Sequence, residues 1–469
     1  MNEKLLAFQN EIRGKRVAVI GVGVSNTPLI RLLVNYGAIV TACDKKDAQA
    51  LGQTYSEFEA LGITFQLGEN YLENLDHAYI FKTPGMRHDT PELVAAQARG
   101  SIITSEMEVF LDLCPAQVIA VSGSDGKTTT TSLIYTMLKT EGYTCWLGGN
   151  IGNPLLGEIE LIQPIHKVIL ELSSFQLQTI KKSADIAVIT NVTPNHLDWH
   201  TNMAEYVDAK RSLFAHQSSM GKLVVNADNE ITRNYGNEAL GNVVFFSKNA
   251  GTSHFHFNEK NPYGLALQND RIVLGSQDKI VDVLDTQDIF IPGAHNVENY
   301  MAAIAAVWGM VQPETIVEVA KTFQGVEHRI EFVREIDGVR FFNDSIASSP
   351  TRSIAGLNSF NSKVILIAGG YDKHIPFDDY GKVIVEKVKK LVLIGKTTED
   401  IERAVLGAAG HVQAPPIIKC ISLDDAVQQA YKESEAGDII TLSPACASFD
   451  MFDNFEVRGN KFKEIVNAL

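Results

Sequence analysis

An apolar run, VIAVS over residues 118–122, passes directly into GSDGKTT and then into TTSLIYTMLKTEG, whose apolar positions recur at helical spacing. A buried strand that turns through glycines into a helix opens a βα unit, and such units build parallel sheets covered by helices. Similar strand-like runs, alternating with helix-like stretches, stand at Val17–Gly21, Ile39–Cys43, Val168–Leu172, Ile186–Thr190, Val364–Ile367, Leu391–Ile394 and Asp438–Leu442. The fold class expected is therefore α/β. Lys222 to Gln287 reads differently, as short strands punctuated by Asn, Gly and Asp, an elaboration on the unit before it.

Three strand-plus-glycine openings, at Arg16–Val22, Val118–Thr129 and Val364–Gly370, divide a chain of 469 residues, more than one hydrophobic core usually organises. We expect three domains, over residues 1–114, 115–325 and 326–469. No apolar run reaches the roughly 18–20 residues that span a bilayer, and the first residues lack the apolar stretch of a secretory signal, so a cytoplasmic protein without membrane insertion is expected. The five cysteines are scattered with no C-x-x-C pair, which suggests neither a zinc knuckle nor a disulfide framework. A net charge of −15 disfavours nucleic acid and anionic membranes as partners, so an anionic substrate would need local donors.

Gly123, Ser124, Asp125, Gly126, Lys127, Thr128 and Thr129 form a short variant of the phosphate loop, with Val121 standing where the longer pattern has its first glycine. The physical logic is unchanged: backbone N–H groups and a helix N-terminus face phosphate oxygens. Lys127 would reach the terminal phosphates of ATP and the Thr128 hydroxyl would ligate Mg²⁺. A chance match is the alternative. Glu171, closing an apolar run, and His196 with Asp198, following another, would emerge at the strand ends where α/β folds hold ligands, and suit Mg²⁺ or Mn²⁺. Otherwise Glu171 is a helix cap and His196 a hydrogen-bonded loop residue. Lys210, on a stretch of helical spacing, reads from its surroundings alone as a solvated surface residue.

Gly21 to Asn26, including Gly23, Val24 and Ser25, with Asp44 and Lys45 after the next strand, outlines a dinucleotide fingerprint in which Asn26 replaces the third glycine. UDP or NAD both fit that geometry. Thr83, Pro84 and Gly85 offer a second tight turn, fit for phosphate or purely structural. In the last third, Asn343-Asp344-Ser345, Gly369 to Lys373 and Ser443 to Gly459 gather polar residues just after strands. Lys373 and Phe455 there read equally well as a surface charge and as core packing.

Together these segments resemble the Mur ligase family over nearly the whole chain: GSDGKTT in the phosphate loop, LELSSFQL and NVTPNHLDWH in the metal segments, GAHNVENYMAA in the nucleotide segment, and LSPACASFDMFDNFEVRGNKF near the end. The last points to the D-glutamate-adding branch. The resemblance implies a Rossmann-like N-terminal domain, a central P-loop domain and a Rossmann-like C-terminal domain, in a monomer. It implies an ATP-dependent amide ligase whose partners are ATP, UDP-N-acetylmuramoyl-L-alanine and D-glutamate, acting through an acyl phosphate. It further implies two Mg²⁺ ions, one at Thr128 and one at Glu171 and His196, and a Lys210 carbamylated by CO₂, against the bland reading above. Asn296 and Asn299 would border adenine, and Arg329 and Asp344 would contact ATP. Ser348, Lys373, Ser448 and Phe455 would hold the amino acid. Asn150 would face the sugar-peptide, and the Gly21 and Thr83-Pro84-Gly85 turns would hold UDP. Set against this are another amide ligase of the same superfamily, an NAD-dependent oxidoreductase on the Gly21 loop, and a nucleotide-binding module without catalysis.

Overall fold

A computed structural model of the chain describes every residue except Met1, Asp198, His374 and His411. Asp198, grouped above with Glu171 and His196, thus lies outside the described residues.

All eight strand-like runs become strands, within three residues at either end. The first sheet contains β1 (Arg16–Ile20), β2 (Ile39–Asp44), β3 (Thr64–Leu67), β4 (Tyr79–Phe81) and β5 (Ile102–Thr104), in the order β3-β2-β1-β4-β5 and parallel throughout. The chain reverses its direction of growth between β1 and β4. In an open α/β sheet that switch point leaves a crevice beyond the carboxyl ends of the two strands. The Gly21 turn follows β1 and the Thr83 turn follows β4, so both face it.

The second sheet holds β6 (Gln117–Ser122), β7 (Cys145–Gly149), β8 (Lys167–Glu171), β9 (Ile186–Ile189), β10 (Lys222–Asn226), β11 (Asn242–Ser247), β12 (Tyr263–Gln268), β13 (Arg271–Ser276) and β14 (Ile280–Asp285), ordered β14-β13-β12-β11-β10-β9-β6-β8-β7. β6 lies between β8 and β9, parallel to both, with Val121 beside Glu171 and Ser122 beside Ile189. Its Val118, Ile119 and Val121 are buried, as a strand covered on both faces requires, and each such side chain contributes about 1.5–3 kcal/mol. The helix that follows, Lys127–Thr140, buries Leu133, Ile134, Met137 and Leu138. It ends at Gly142, whose φ of +106° supports a left-handed terminus.

The stretch 222–287 is more than an elaboration of short strands. β10 and β11 extend the parallel sheet, with a helix at Glu230–Glu238 between them, and only β12, β13 and β14 form an antiparallel meander. Asn234, Gly236 and Asn237, of the residue types expected in turns, lie within that helix. In the structure a Cβ at Gly236 would come within 2.5 Å of the Phe245 ring, so the glycine permits close helix–sheet packing.

The third sheet comprises β15 (Glu331–Ile336), β16 (Val339–Asn343), β17 (Val364–Ala368), β18 (Val388–Leu393), β19 (Ile417–Lys419) and β20 (Ile439–Leu442), ordered β15-β16-β20-β17-β18-β19. Apart from the β15–β16 hairpin it is parallel, and apolar clusters cover both faces. Two compact units result. One comprises Met1–Thr286 with Glu298–Val319 and carries the first two sheets; the other comprises Gln287–Val297 with Ala320–Leu469 and carries the third. Among the described residues, no helix is long and apolar enough to cross a membrane.

Candidate active site

The loop after β6 has space for glycine alone at two positions. A Cβ at Gly123, where φ is +149°, would lie 1.9 Å from Thr190 Oγ1, and one at Gly126, where φ is +78°, would lie 2.3 Å from Asn299 Oδ1. The segment following β9 braces the loop. Ser124 N donates to Asn191 O at 2.9 Å, Ser124 Oγ donates to Thr193 O at 2.9 Å, Asp125 N donates to Asn191 Oδ1 at 2.9 Å, and Thr190 Oγ1 donates to Asp125 O at 2.6 Å. No side chain caps the helix that begins at Lys127, and a helix N-terminus turns its first-turn amides outward along the helix axis. A loop held this rigidly, ending in an uncapped helix N-terminus, is a preorganised anion site.

Two lysines converge on one carbonyl of this loop. Lys127 Nζ donates to Gly123 O at 3.0 Å and to Ser124 O at 2.9 Å, and Lys210 Nζ donates to Gly123 O at 2.7 Å. Lys210 is not the surface residue its helical spacing suggested: it is 1% exposed, and its ammonium lies 4.6 Å from the centroid of the Tyr206 ring. Burial pushes its pKa well below that of a free lysine, the charge of Lys127 pushes it further, and Asp125 opposes both. Tyr206 in turn shares a 2.9 Å hydrogen bond with Ser124 Oγ. Loop and Lys210 helix are therefore one assembly.

Glu171 closes β8 beside the loop and is 1% exposed. Asn150 Nδ2 donates to its Oε1 at 2.7 Å, while Oε2 is buried without a hydrogen-bond partner. An ionised oxygen left so is costly unless a cation meets it, so the residue fits a metal. Among the described residues no three His, Cys, Asp or Glu side chains form a metal cluster. A buried carboxylate oxygen of this kind suits Mg²⁺, which keeps waters and phosphate oxygens beside one or two carboxylates. His196 is exposed, has a left-handed φ of +54°, and presents its ring to Phe175 with centroids 5.0 Å apart. Strained backbone of this kind is concentrated at functional sites.

At the first switch point, Asp44 Oδ2 accepts from Val22 N at 2.6 Å and Oδ1 from Lys46 N at 2.9 Å, so the carboxylate holds the glycine turn in shape. Asn26, which broke the fingerprint, is buried and donates to Ile20 O at 2.9 Å and Gly21 O at 3.0 Å. It fastens the turn from within. Gly23, Val24 and Lys45 are exposed, Ser25, Thr83 and Pro84 are half-buried, and Gly85 is exposed. Asn150 is taken up with Glu171, through its side chain and through its backbone N–H, which donates to Glu171 O at 2.7 Å. Asn299 lies on the phosphate loop, where it accepts from Thr130 Oγ1 at 3.3 Å.

In the second unit the polar segments leave the carboxyl ends of β16, β17 and β20. Asp344 is buried, accepts from Ser443 Oγ at 2.7 Å, and is pushed up to about 7 by that burial, with the half-buried Arg329 opposing. Lys373 Nζ donates to Ser348 O at 3.2 Å, Ser448 is buried, and the ring of Phe455 meets His328 edge-on at 6.0 Å. Asn296 Nδ2 donates to Pro292 O at 2.6 Å.

Arg458, part of the closing segment, had been given no role. It is 0% exposed and donates to Ser345 Oγ at 3.0 Å, Ser345 O at 2.8 Å, Cys446 O at 3.1 Å and Ala447 O at 3.2 Å, with no carboxylate among these acceptors. Burial lowers its pKa to about 10. It binds the segments carrying Ser348 and Ser448 to the helix that starts at Phe455. The local signal is the adjoining Gly459, where a Cβ would lie 2.3 Å from His328 Nδ1.

Residues 121–307 match the family model for the Mur ligase middle domain, and residues 328–446 match that for the Mur ligase glutamate ligase domain. The chain is 55% identical to a UDP-N-acetylmuramoylalanine–D-glutamate ligase of Acetivibrio thermocellus and 53% identical to one of Ruminiclostridium cellulolyticum, with 100% of each chain covered in both cases. Among solved structures, a UDP-N-acetylmuramate-alanine ligase from Thermotoga maritima aligns over 97% of this chain and 99% of its own with a TM-score of 0.58, and at 19% identity that is a likeness of fold alone. With two domain models covering more than half of its residues and relatives of that identity along its full length, the chain belongs to the Mur ligase family.

Proposed function

We propose that this protein joins D-glutamate to UDP-N-acetylmuramoyl-L-alanine, forming ADP and phosphate from ATP, in the cytoplasmic synthesis of peptidoglycan precursors. The observation that carries the proposal is the braced phosphate loop with the orphaned Glu171 oxygen on the strand beside it. A carboxylate is a poor acylating agent, and phosphorylation turns its oxygen into a leaving group. The L-alanyl carboxylate attacks the γ-phosphorus of ATP in line, and the bond to ADP breaks. The amine of D-glutamate then attacks the acyl carbon, and phosphate departs with the carboxylate oxygen.

Lys127 and the first-turn amides of Thr128 and Thr129 hold the phosphate oxygens and meet the charge that gathers on them in transfer. Thr128, and Glu171 with His196, would hold two Mg²⁺ ions, which supply positive charge at the phosphates. The uncharged amine of Lys210 is the form that would add CO₂: a bond forms between Nζ and the carbon, a proton leaves to water, and the neutral side chain becomes a carbamate anion able to ligate metal. Gly23 to Ser25, Asp44, Lys45 and the Thr83–Gly85 turn would hold UDP, with Asn150 toward the sugar-peptide. Asn296, Asn299, Arg329 and Asp344 would serve ATP, and Ser348, Lys373, Ser448 and Phe455 the amino acid.

Coupled ADP release tests the reading. With UDP-N-acetylmuramoyl-L-alanine and ATP present, D-glutamate is expected to start turnover, while L-alanine and L-glutamate leave the background rate. Turnover that prefers another amino acid would overturn it.

A further inference from the structure

Arg87, two residues after the Thr83–Gly85 turn, reaches across to the second sheet's side of the same unit. Its Nε and Nη2 donate to the two carboxylate oxygens of Asp89, each at 2.8 Å, which fixes the guanidinium plane. Nη1 donates to Trp199 O at 2.9 Å and to Glu205 Oε1 at 3.0 Å, and the guanidinium lies 5.1 Å from the centroid of the Trp199 ring. The indole closes the loop in the other direction, Trp199 Nε1 donating to Gly85 O at 3.0 Å. The turn is thus tied to Trp199 twice, by groups more than a hundred residues apart in sequence.

Trp199 belongs to the His196 segment. Its N–H donates to His196 O at 3.1 Å, that of His200 to the same oxygen at 3.0 Å, and the Phe175 ring packs against both His196, at 5.0 Å, and Trp199, at 4.5 Å. Glu205 stands on the helix Met203–Arg211, which also carries Tyr206 and Lys210, and its Oε2 accepts from Thr201 N at 2.8 Å. The side chains of Arg87 and Glu205 are 24% and 20% exposed, more enclosed than a surface ion pair. A shift of the Gly85 turn therefore pulls on the backbone that sets His196 and on the helix that sets Lys210.

We infer that Arg87 is a positioning residue that, through Trp199 and Glu205, couples occupancy of the Thr83–Gly85 turn by the uridine substrate to divalent-cation binding at His196. The inference rests on the substrate and metal assignments proposed above. Coupling between two sites is reciprocal, so the cation must tighten the substrate by the factor by which the substrate tightens the cation.

Calorimetric titration of the full-length protein with UDP-N-acetylmuramoyl-L-alanine, a non-hydrolysable ATP analogue being present throughout and Mn²⁺ present or absent, measures that factor. In the unaltered protein the Kd is expected to fall about tenfold when the cation is present. In Arg87→Ala the two values converge. Arg87→Lys, which keeps a charge for Glu205 without the planar fork, restores part of the factor. Trp199→Phe keeps the ring and removes the donor to Gly85, and it reduces the factor independently should Arg87→Ala fold poorly. Coupling of wild-type size in both Arg87→Ala and Trp199→Phe, or none in the unaltered protein, overturns the inference. Absence of any binding of the uridine substrate to the unaltered protein overturns instead the function proposed above.

Discussion

Replacing Lys127 with alanine is expected to lower kcat for ADP formation by about a thousandfold, at the upper end of what one preorganised donor supplies. The amine is held by the carbonyls of Gly123 and Ser124 at the mouth of the loop, so its position is prepared before a nucleotide arrives. Interactions of this kind strengthen as charge moves onto the transferred oxygens. The loss should therefore fall on kcat more than on the KM for ATP, whose other proposed phosphate contacts are backbone amides that the substitution leaves in place. Steady-state kinetics at saturating substrate decide it: a kcat within tenfold of wild type would remove Lys127 from the transfer step.

The second large effect is expected at Lys210. Alanine there should lower kcat by about a hundred- to a thousandfold, the amount associated with losing a charge that orients the reacting groups. Protonation of Lys210 governs the effect. Burial and the neighbouring Lys127 lower the pKa of Lys210 well below its usual value, so the uncharged amine persists to lower pH than in a free lysine. Only that form adds CO₂. On the proposed carbamylation, as pH falls through the lowered pKa the amine takes up a proton, CO₂ should be lost, and activity should decline on the acid side. At fixed pH, removing dissolved CO₂ should slow the wild-type protein and bicarbonate should restore it, while Lys210→Ala responds to neither. Equal rates with and without CO₂ would return Lys210 to a structural role as an uncharged amine that packs on Tyr206 and bonds Gly123 O.

The sheets and the phosphate loop were legible because their signals are local. Apolar runs such as 118–122 and 364–367, bounded by glycine turns, announce strands whatever surrounds them. The shortened loop could be read for the same reason, since strand, glycines and helix follow one another within the chain. What was not legible depends on contacts distant in sequence. Gly236 has the appearance of a helix breaker until Phe245 is placed beside it, and Asn26 that of a defect until its amide meets the carbonyls of Ile20 and Gly21. The burial of Lys210 follows from the packing of its helix against the loop, which helical spacing alone does not encode. Arg458 and Arg87 show the same limit: each binds segments that no sequence window brings together.

In the proposed reaction the loop at Gly123–Thr129 delivers the γ-phosphate to the substrate's own carboxylate. The direct test is to label that carboxylate of UDP-N-acetylmuramoyl-L-alanine with the heavy oxygen isotope, allow turnover with ATP and D-glutamate, and weigh the phosphate released. Attack by the carboxylate predicts one labelled oxygen carried from substrate into phosphate. Phosphate without label would mean that water, not the carboxylate, receives the phosphoryl group, and would rule out the acyl phosphate.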